Sequence, residues 1–172
     1  MANPVQLATS QGTDVSTTNP LAVSFPAYSA SASFTPAATS HTAGDSVGGA
    51  KEFALAAPTG ALLRIVNASM LVAGGTNETS TWRLYLFSVT PPSAVADDGA
   101  FTLASGDRAS FLGYFDFAQL VDVGDTLYIE ATPNKVIRLT GASVFAYLVN
   151  LTTVSTAAVA RTVTIHTSLA PS

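Results

Sequence analysis

The chain has 172 residues, no cysteine, 7 Lys and Arg against 11 Asp and Glu, and 48% hydrophobic residues, for a net charge of −4. Without cysteine there is no disulfide framework, thiolate metal site or Cys nucleophile. Scattered cations in so small a number build no track for phosphates, which argues against nucleic acid as a partner, and the hydrophobic content is too high for a disordered chain.

The length fits one domain, and a chain of this size buries roughly 70% of its unfolded surface. The opening Met1-Ala2-Asn3-Pro4-Val5-Gln6 has neither the basic residues nor the apolar centre of a signal peptide. No apolar run approaches the ~20 residues that cross a bilayer, so a soluble protein with no membrane partner is expected. The first fifty residues carry no Lys or Arg and only two acids, Asp14 and Asp45. Residues 1–20 mix Thr, Ser, Gln and Asn without periodicity and read as an extended N-terminal arm, because termini without buried anchors are poorly ordered. Such an arm is expected to add to a neighbour's sheet edge, through Val5, Leu7, Val15 and Leu21. Residues 21–172 form the domain.

From Leu21 the period changes to two. Leu21, Val23 and Phe25 alternate with small residues, and 29–35 alternates Ser with Ala before Phe34, so both stretches read as strands. The Gly- and Ala-rich stretch from Pro36 to Gly49 reads as turns. Further strands are expected near 50–57, 61–73, 82–90, 110–118, 126–131, 135–150 and 160–168. The second of these passes Asn67 with a bulge. Val144 to Leu151 is apolar enough to be buried on both faces. Arg161 to Thr167 alternates as a last strand with one wet face. The only helical signal is a turn or two after Ser105, which could cap it. About eight evenly spaced strands with no crossover helices predict antiparallel pairing in an all-β two-sheet sandwich, a jelly roll or a similar Greek-key fold.

The chemistry-bearing residues are few. His41 and His166 are expected as surface imidazoles, and no Gly-x-Ser-x-Gly accompanies them. Asp97, Asp98 and Asp107 form the best acidic cluster, and Asp122 with Asp125 the next. Neither has the spacing of a Ca²⁺ loop, and Asp and Gly are ordinary turn formers. Glu52, Glu78 and Glu130 suggest no carboxylate pair for glycoside hydrolysis. Sequons stand at Asn67, Asn77 and Asn150. Trp82, Tyr85, Phe87, Phe101, Phe111, Tyr114, Phe115 and Phe117 crowd the middle third and read chiefly as core. Alternation puts Trp82, Leu84 and Leu86 on one face and Arg83, Tyr85 and Phe87 on the other. No catalytic residue, cofactor or metal site is assigned, and a non-enzyme is expected. A binding module, whether a tail or fibre domain or a carbohydrate-binding sandwich, is the alternative; it would present Trp82 or Tyr114 on an open face.

Several of these pieces occur in a telling order. Phe34-Thr35-Pro36 is followed by His41-Thr42-Ala43-Gly44-Asp45-Ser46-Val47-Gly48-Gly49 and the strand around Ile65. Leu84-Tyr85-Leu86-Phe87, Asp97-Asp98-Gly99-Ala100-Phe101, Gly106-Asp107 and Leu112-Gly113 come next. Over roughly residues 30–150 this order resembles tailed-bacteriophage head decoration (cement) proteins. His41-Thr42 stands where that pattern commonly has an aromatic residue. The resemblance implies a jelly roll on the outer surface of the virion capsid, often a homotrimer, bridging major capsid protein subunits and stabilising the shell. Few charges suit that role, since interface cores are depleted in charged residues, and linked copies gain avidity.

Overall fold

Period-two alternation does build strands throughout. The computed structural model describes residues 26–37, 40–74, 78–155 and 159–170. The arm, its contact residues Val5, Leu7, Val15 and Leu21, and the strand expected at Leu21 to Phe25 lie outside the described residues.

The strands are β1 (Ala27–Phe34), β2 (Ser40–His41), β3 (Ser46–Ala54), β4 (Leu62–Ala73), β5 (Trp82–Phe87), β6 (Phe111–Phe117), β7 (Val121–Asp122), β8 (Thr126–Ala131), β9 (Lys135–Arg138), β10 (Ser143–Asn150), β11 (Val154–Ser155) and β12 (Arg161–Leu169). One sheet runs β1-β12-β4-β8-β7, with β9 also on β4; the other runs β3-β10-β5-β6; β2 and β11 pair separately. Every pairing is antiparallel. β8 pairs with Ala68–Ala73 of β4 and β9 with Leu62–Ile65, so the two are successive pieces of one interrupted strand. The principal strands are then eight, with spatial orders 1-8-3-6 and 2-7-4-5. This is a jelly roll.

The core lies between the sheets. β4 sends in Leu63, Ile65, Ala68, Met70 and Val72; β12 sends in Val163 and Ile165; β5 supplies Trp82, Leu84 and Leu86; β10 supplies Val144, Ala146 and Leu148. Each such side chain contributes about 1.5–3 kcal/mol of burial. The expected bulge in β4 is present. His166 faces Asn67 while Thr167 faces Ile65, leaving Val66 as the extra residue. It restores inward alternation on both sides of the irregularity.

Four expectations need correction. The turn-rich reading of 36–49 holds at Thr42–Asp45, where Gly44 has φ +95° and the Asp45 amide donates to the Thr42 carbonyl at 3.1 Å, but gives way before it to β2 and after it to a β3 that begins at Ser46. Gly48 and Gly49 sit inside β3 with φ of +69° and +67°, so these glycines shape a bulge opposite Tyr147 and do not end a strand. A Cβ on Gly48 would stand 2.7 Å from the Thr35 nitrogen and 2.9 Å from the Phe34 carbonyl carbon. Only glycine lets β3 pass so close to the end of β1. The continuous strand over 135–150 is two, β9 and β10, in different sheets. The chain changes sheet at Thr140-Gly141-Ala142. The run at 82–90 stops at Phe87, and the Ser105 turn is a single 3₁₀ turn, Ser105–Asp107, whose cap is Ala104 without a side-chain hydrogen bond.

β10 is buried on both faces, as its composition predicts. Tyr147 and Val149 point away from the core, yet both are buried. The long β5–β6 connection folds over this outer face and packs Val95, Phe101 and Leu103 on Phe87, Tyr147 and Val149.

Candidate interaction surfaces

The acidic cluster read from the sequence is a fastening. Asp97 lies in the β5–β6 connection. Its carboxylate accepts the Ala37 amide at 2.8 Å and the Gly48 amide at 2.6 Å, and lies 3.0 Å from His41 Nε2. His41 is fully buried and not a surface imidazole. A buried imidazole needs hydrogen-bond partners, and its partner here is 56 residues away in sequence. Asp45 accepts the Thr42 amide and hydroxyl at 2.7 and 2.6 Å. Asn150 Nδ2 donates to the Thr42 and Thr152 carbonyls at 2.8 and 2.9 Å, which fixes that sequon side chain inside. Asp107 is also buried and accepts the Ser93 amide at 3.2 Å. These carboxylates spend their lone pairs on backbone amides and neighbouring side chains, and among the described residues no group of three His, Asp or Glu converges as a metal site. His166 is exposed on the outer face of β12.

A second polar cluster was not foreseen. Arg161 opens β12 and points into the sandwich, almost wholly buried. Its Nη2 lies 2.9 Å from Glu78 Oε2, its Nη1 donates to the Val159 carbonyl at 2.8 Å, and its guanidinium carbon stands 5.1 Å over the Trp82 ring. Burial pushes the Glu78 carboxyl up from its ordinary value, against the pull of Arg161. Arg161 Nε, Glu78 Oε1 and Trp82 Nε1 find no hydrogen-bond partner. Trp82 is fully buried, which removes it as a platform for sugars.

Among the described residues, three exposed regions stand out. On the outer face of the four-stranded sheet, Arg83 makes a bidentate pair with Asp116 at 2.6 and 2.9 Å and lies 4.0 Å over the Tyr114 ring. The hydrogen bonds to Asp116 and then Tyr85 push the guanidinium pKa further up. Tyr85 stacks on Phe101 at 4.1 Å. Tyr114 is 47% exposed; the other rings of this group are packed, so the aromatic-rich middle third serves mainly two apolar layers.

The outer face of the six-stranded sheet is broader, and its charges are few: Glu130 of β8, and Arg64 and Arg138 where β4 and β9 pair. Register places Ser33, Thr162, Leu71, Tyr128 and Val121 in one row across five strands. The next row is Ser31, Thr164, Ser69 and Glu130. Ser31 and Thr164 hydroxyls meet at 2.7 Å, and Ser33 and Thr162 at 3.1 Å. Val66, Leu71, Val121 and Val136 are each 40% exposed or more. The hydrogen bond from the Tyr128 hydroxyl to Glu130 raises the phenol's pKa.

The third region is a depression of about 410 Å³ at one end of the sandwich. It is lined by Ser88, Val89, Thr140, Ala142 and Phe145 among others, none of them ionisable.

No family model matches the chain, and no curated protein sequence matches it. Among solved structures, one from Desmodium yellow mottle tymovirus is similar over 98% of this chain and 95% of its own, at 12% identity and a TM-score of 0.28. Likeness at that level establishes nothing about role, and the jelly-roll assignment stands on strand order and pairing alone.

Proposed function

We propose that the chain is a structural virion protein that decorates the outside of a bacteriophage capsid, bridging and stabilising major capsid protein subunits. The observation that carries this reading is the outer face of the six-stranded sheet. Short hydroxyl side chains lose little rotamer entropy when covered. Exposed Leu and Val gain from being covered, and few ions need desolvation. Hydrophobic patches with a polar rim are the surfaces that bind proteins. The order of sequence pieces that resembles head decoration proteins supports the same reading.

Purified shells lacking the protein provide the test. Added protein should co-sediment with them and raise the temperature at which they rupture. Replacing Leu71 and Val66 by Asp should abolish both effects while the isolated domain stays folded. Shells that neither bind the protein nor change in rupture temperature would overturn the proposal.

A further inference from the structure

Of the seven Lys and Arg side chains in the sequence, two stand together on the outer face of the six-stranded sheet. Leu63, Ile65 and Ile137 are buried in the core, so alternation turns Arg64 of β4 and Arg138 of β9 outward. Register pairs Leu62 with Arg138 and Arg64 with Val136. The two arginines are therefore diagonal neighbours on adjacent strands, close enough for long side chains to act on one group. The residues that register places around them carry no acid: Ser168 lies opposite Arg64 on β12, Val136 opposite it on β9, and Leu62 opposite Arg138. Among the described residues neither arginine takes part in an ion pair, whereas Arg83 and Arg161 each hold a carboxylate.

Both guanidiniums are nonetheless oriented. Arg64 Nη1 donates to Asn134 Oδ1 at 2.9 Å, and Arg138 Nη1 to the Gly60 carbonyl at 3.3 Å. Each acceptor sits on a turn with positive φ, Asn134 at +47° and Gly60 at +78°. Only one of the N–H donors in each guanidinium fork is so engaged. A fork already held by a neutral acceptor loses less freedom when it binds a carboxylate. The acids of this sheet lie at its far end. Glu130 pairs with Ser69, and Asp125 precedes Thr126, which faces Ala73 at the end of β4. From Arg64 to Ala73 the strand advances roughly 30 Å.

We infer that the Arg64–Arg138 pair is a recognition site for carboxylate side chains of a protein partner, an acidic segment of the shell subunit that faces this sheet. The inference deepens the proposed function and rests on it for the partner's identity. A carboxylate matches the guanidinium fork bidentately. Val66 and Val136, 41% and 46% exposed, give a peptide apolar neighbours. No aromatic ring stands among the residues that register places beside the pair, so a nucleic-acid base has nothing to stack on. Charges at the margin of a contact set orientation and association rate more than affinity. With the arginines at one end of the face and Glu130 toward the other, the protein meets a shell in one direction along β4.

Two measurements test it. In the first, amide chemical shifts are followed while a Glu-rich hexapeptide is titrated into the wild type and into Arg64→Gln with Arg138→Gln. Circular dichroism checks that the variant folds, and each single substitution stands in if the double one does not. In the wild type the shifts should cluster at residues 62–66 and 134–138 and fade with added salt. Binding to the variant should be weaker by roughly fivefold. In the second, shells are co-sedimented with both proteins; binding should fall by a similar factor in the variant, and fall with salt in the wild type only. A peptide that shifts other residues or binds the variant equally well, or shells that bind both proteins alike at every salt concentration, would overturn the site. An oligothymidylate that binds the pair more tightly than the peptide would overturn the choice of carboxylate. If shells bind neither protein while the peptide still maps to the pair, the proposed function fails and the carboxylate site stands.

Discussion

Arg161 shows what a single side chain can decide. Its position alternates with Thr162 and Thr164, and a charged residue at a strand start reads as solvent-facing. Register to Val72 and Phe34 turns it inward instead. Removing one partner of a buried pair leaves an uncompensated charge, so Arg161→Ala should cost about 3–5 kcal/mol in urea unfolding. Replacing both partners by Glu78→Leu and Arg161→Met should recover most of that loss, since apolar substitutes for a buried pair are near neutral. The pH dependence of Glu78 has a definite sign. Its folded pKa is raised above the ordinary 4.5, so the native state holds the proton more tightly than the unfolded one. The associated stabilisation is present below 4.5 and lost as pH rises through the elevated folded value. Stability measured across mildly acidic pH should fall less steeply with rising pH in Glu78→Gln than in the wild type. Gly48 gives a contrasting prediction. With backbone atoms at 2.7 and 2.9 Å from a new Cβ, Gly48→Ala should destabilise more than Gly44→Ala. Gly44 is also at positive φ, but nothing lies within 4 Å. The conformational cost of about 1–3 kcal/mol is common to both; the clash is not.

At the scale of elements, the β5–β6 connection forms a third layer. It carries Phe101 onto Tyr85 and Tyr147 and Asp97 onto β3 and the segment before β2. Phe101→Ala should cost about 2–3 kcal/mol, below the full core value because the ring is half-buried. Hydrogen exchange should accelerate at residues 93–103 well before the strands respond. The strands themselves were legible because inward and outward residues alternate, as in β1, β5 and β12. Even the β4 bulge at Asn67 showed as a break in the period. The limits of β9 and β10 were not legible. Apolar residues recur on both sides of the junction from Val136 to Val149, and only the four residues 139–142 separate segments that serve different sheets. His41 was misread for a related reason. Its burial depends on Asp97 and on Asn150 donating to its carbonyl, contacts that local composition does not encode. The candidate surfaces were legible only as a scarcity of charge. Which hydroxyls and valines share a row depends on pairings such as Leu71 with Tyr128 and Thr162.

At the scale of the whole molecule, the design separates holding together from being held. The Asp97–His41 fastening and the Glu78–Arg161 pair place their polar and ionic groups in buried or part-buried positions at the seams. The outer face of the six-stranded sheet is left mainly to Ser, Thr, Val and Leu in its central rows, with Tyr128 and Glu130 toward β7 and with Arg64 and Arg138 where β4 meets β9. That partition gives the two sheets different duties: the four-stranded sheet is covered by its own connection, whereas among the described residues the central rows of the six-stranded sheet stay partly exposed. The measurement that bears most directly on this account is electron cryomicroscopy of shells incubated with the protein. The account predicts ordered density outside the shell, oriented with the Leu71–Tyr128–Val121 row against shell subunits and spanning at least two of them. Shells without added density, or protein bound through the Arg83–Tyr114 face with the six-stranded sheet open to solvent, would contradict it.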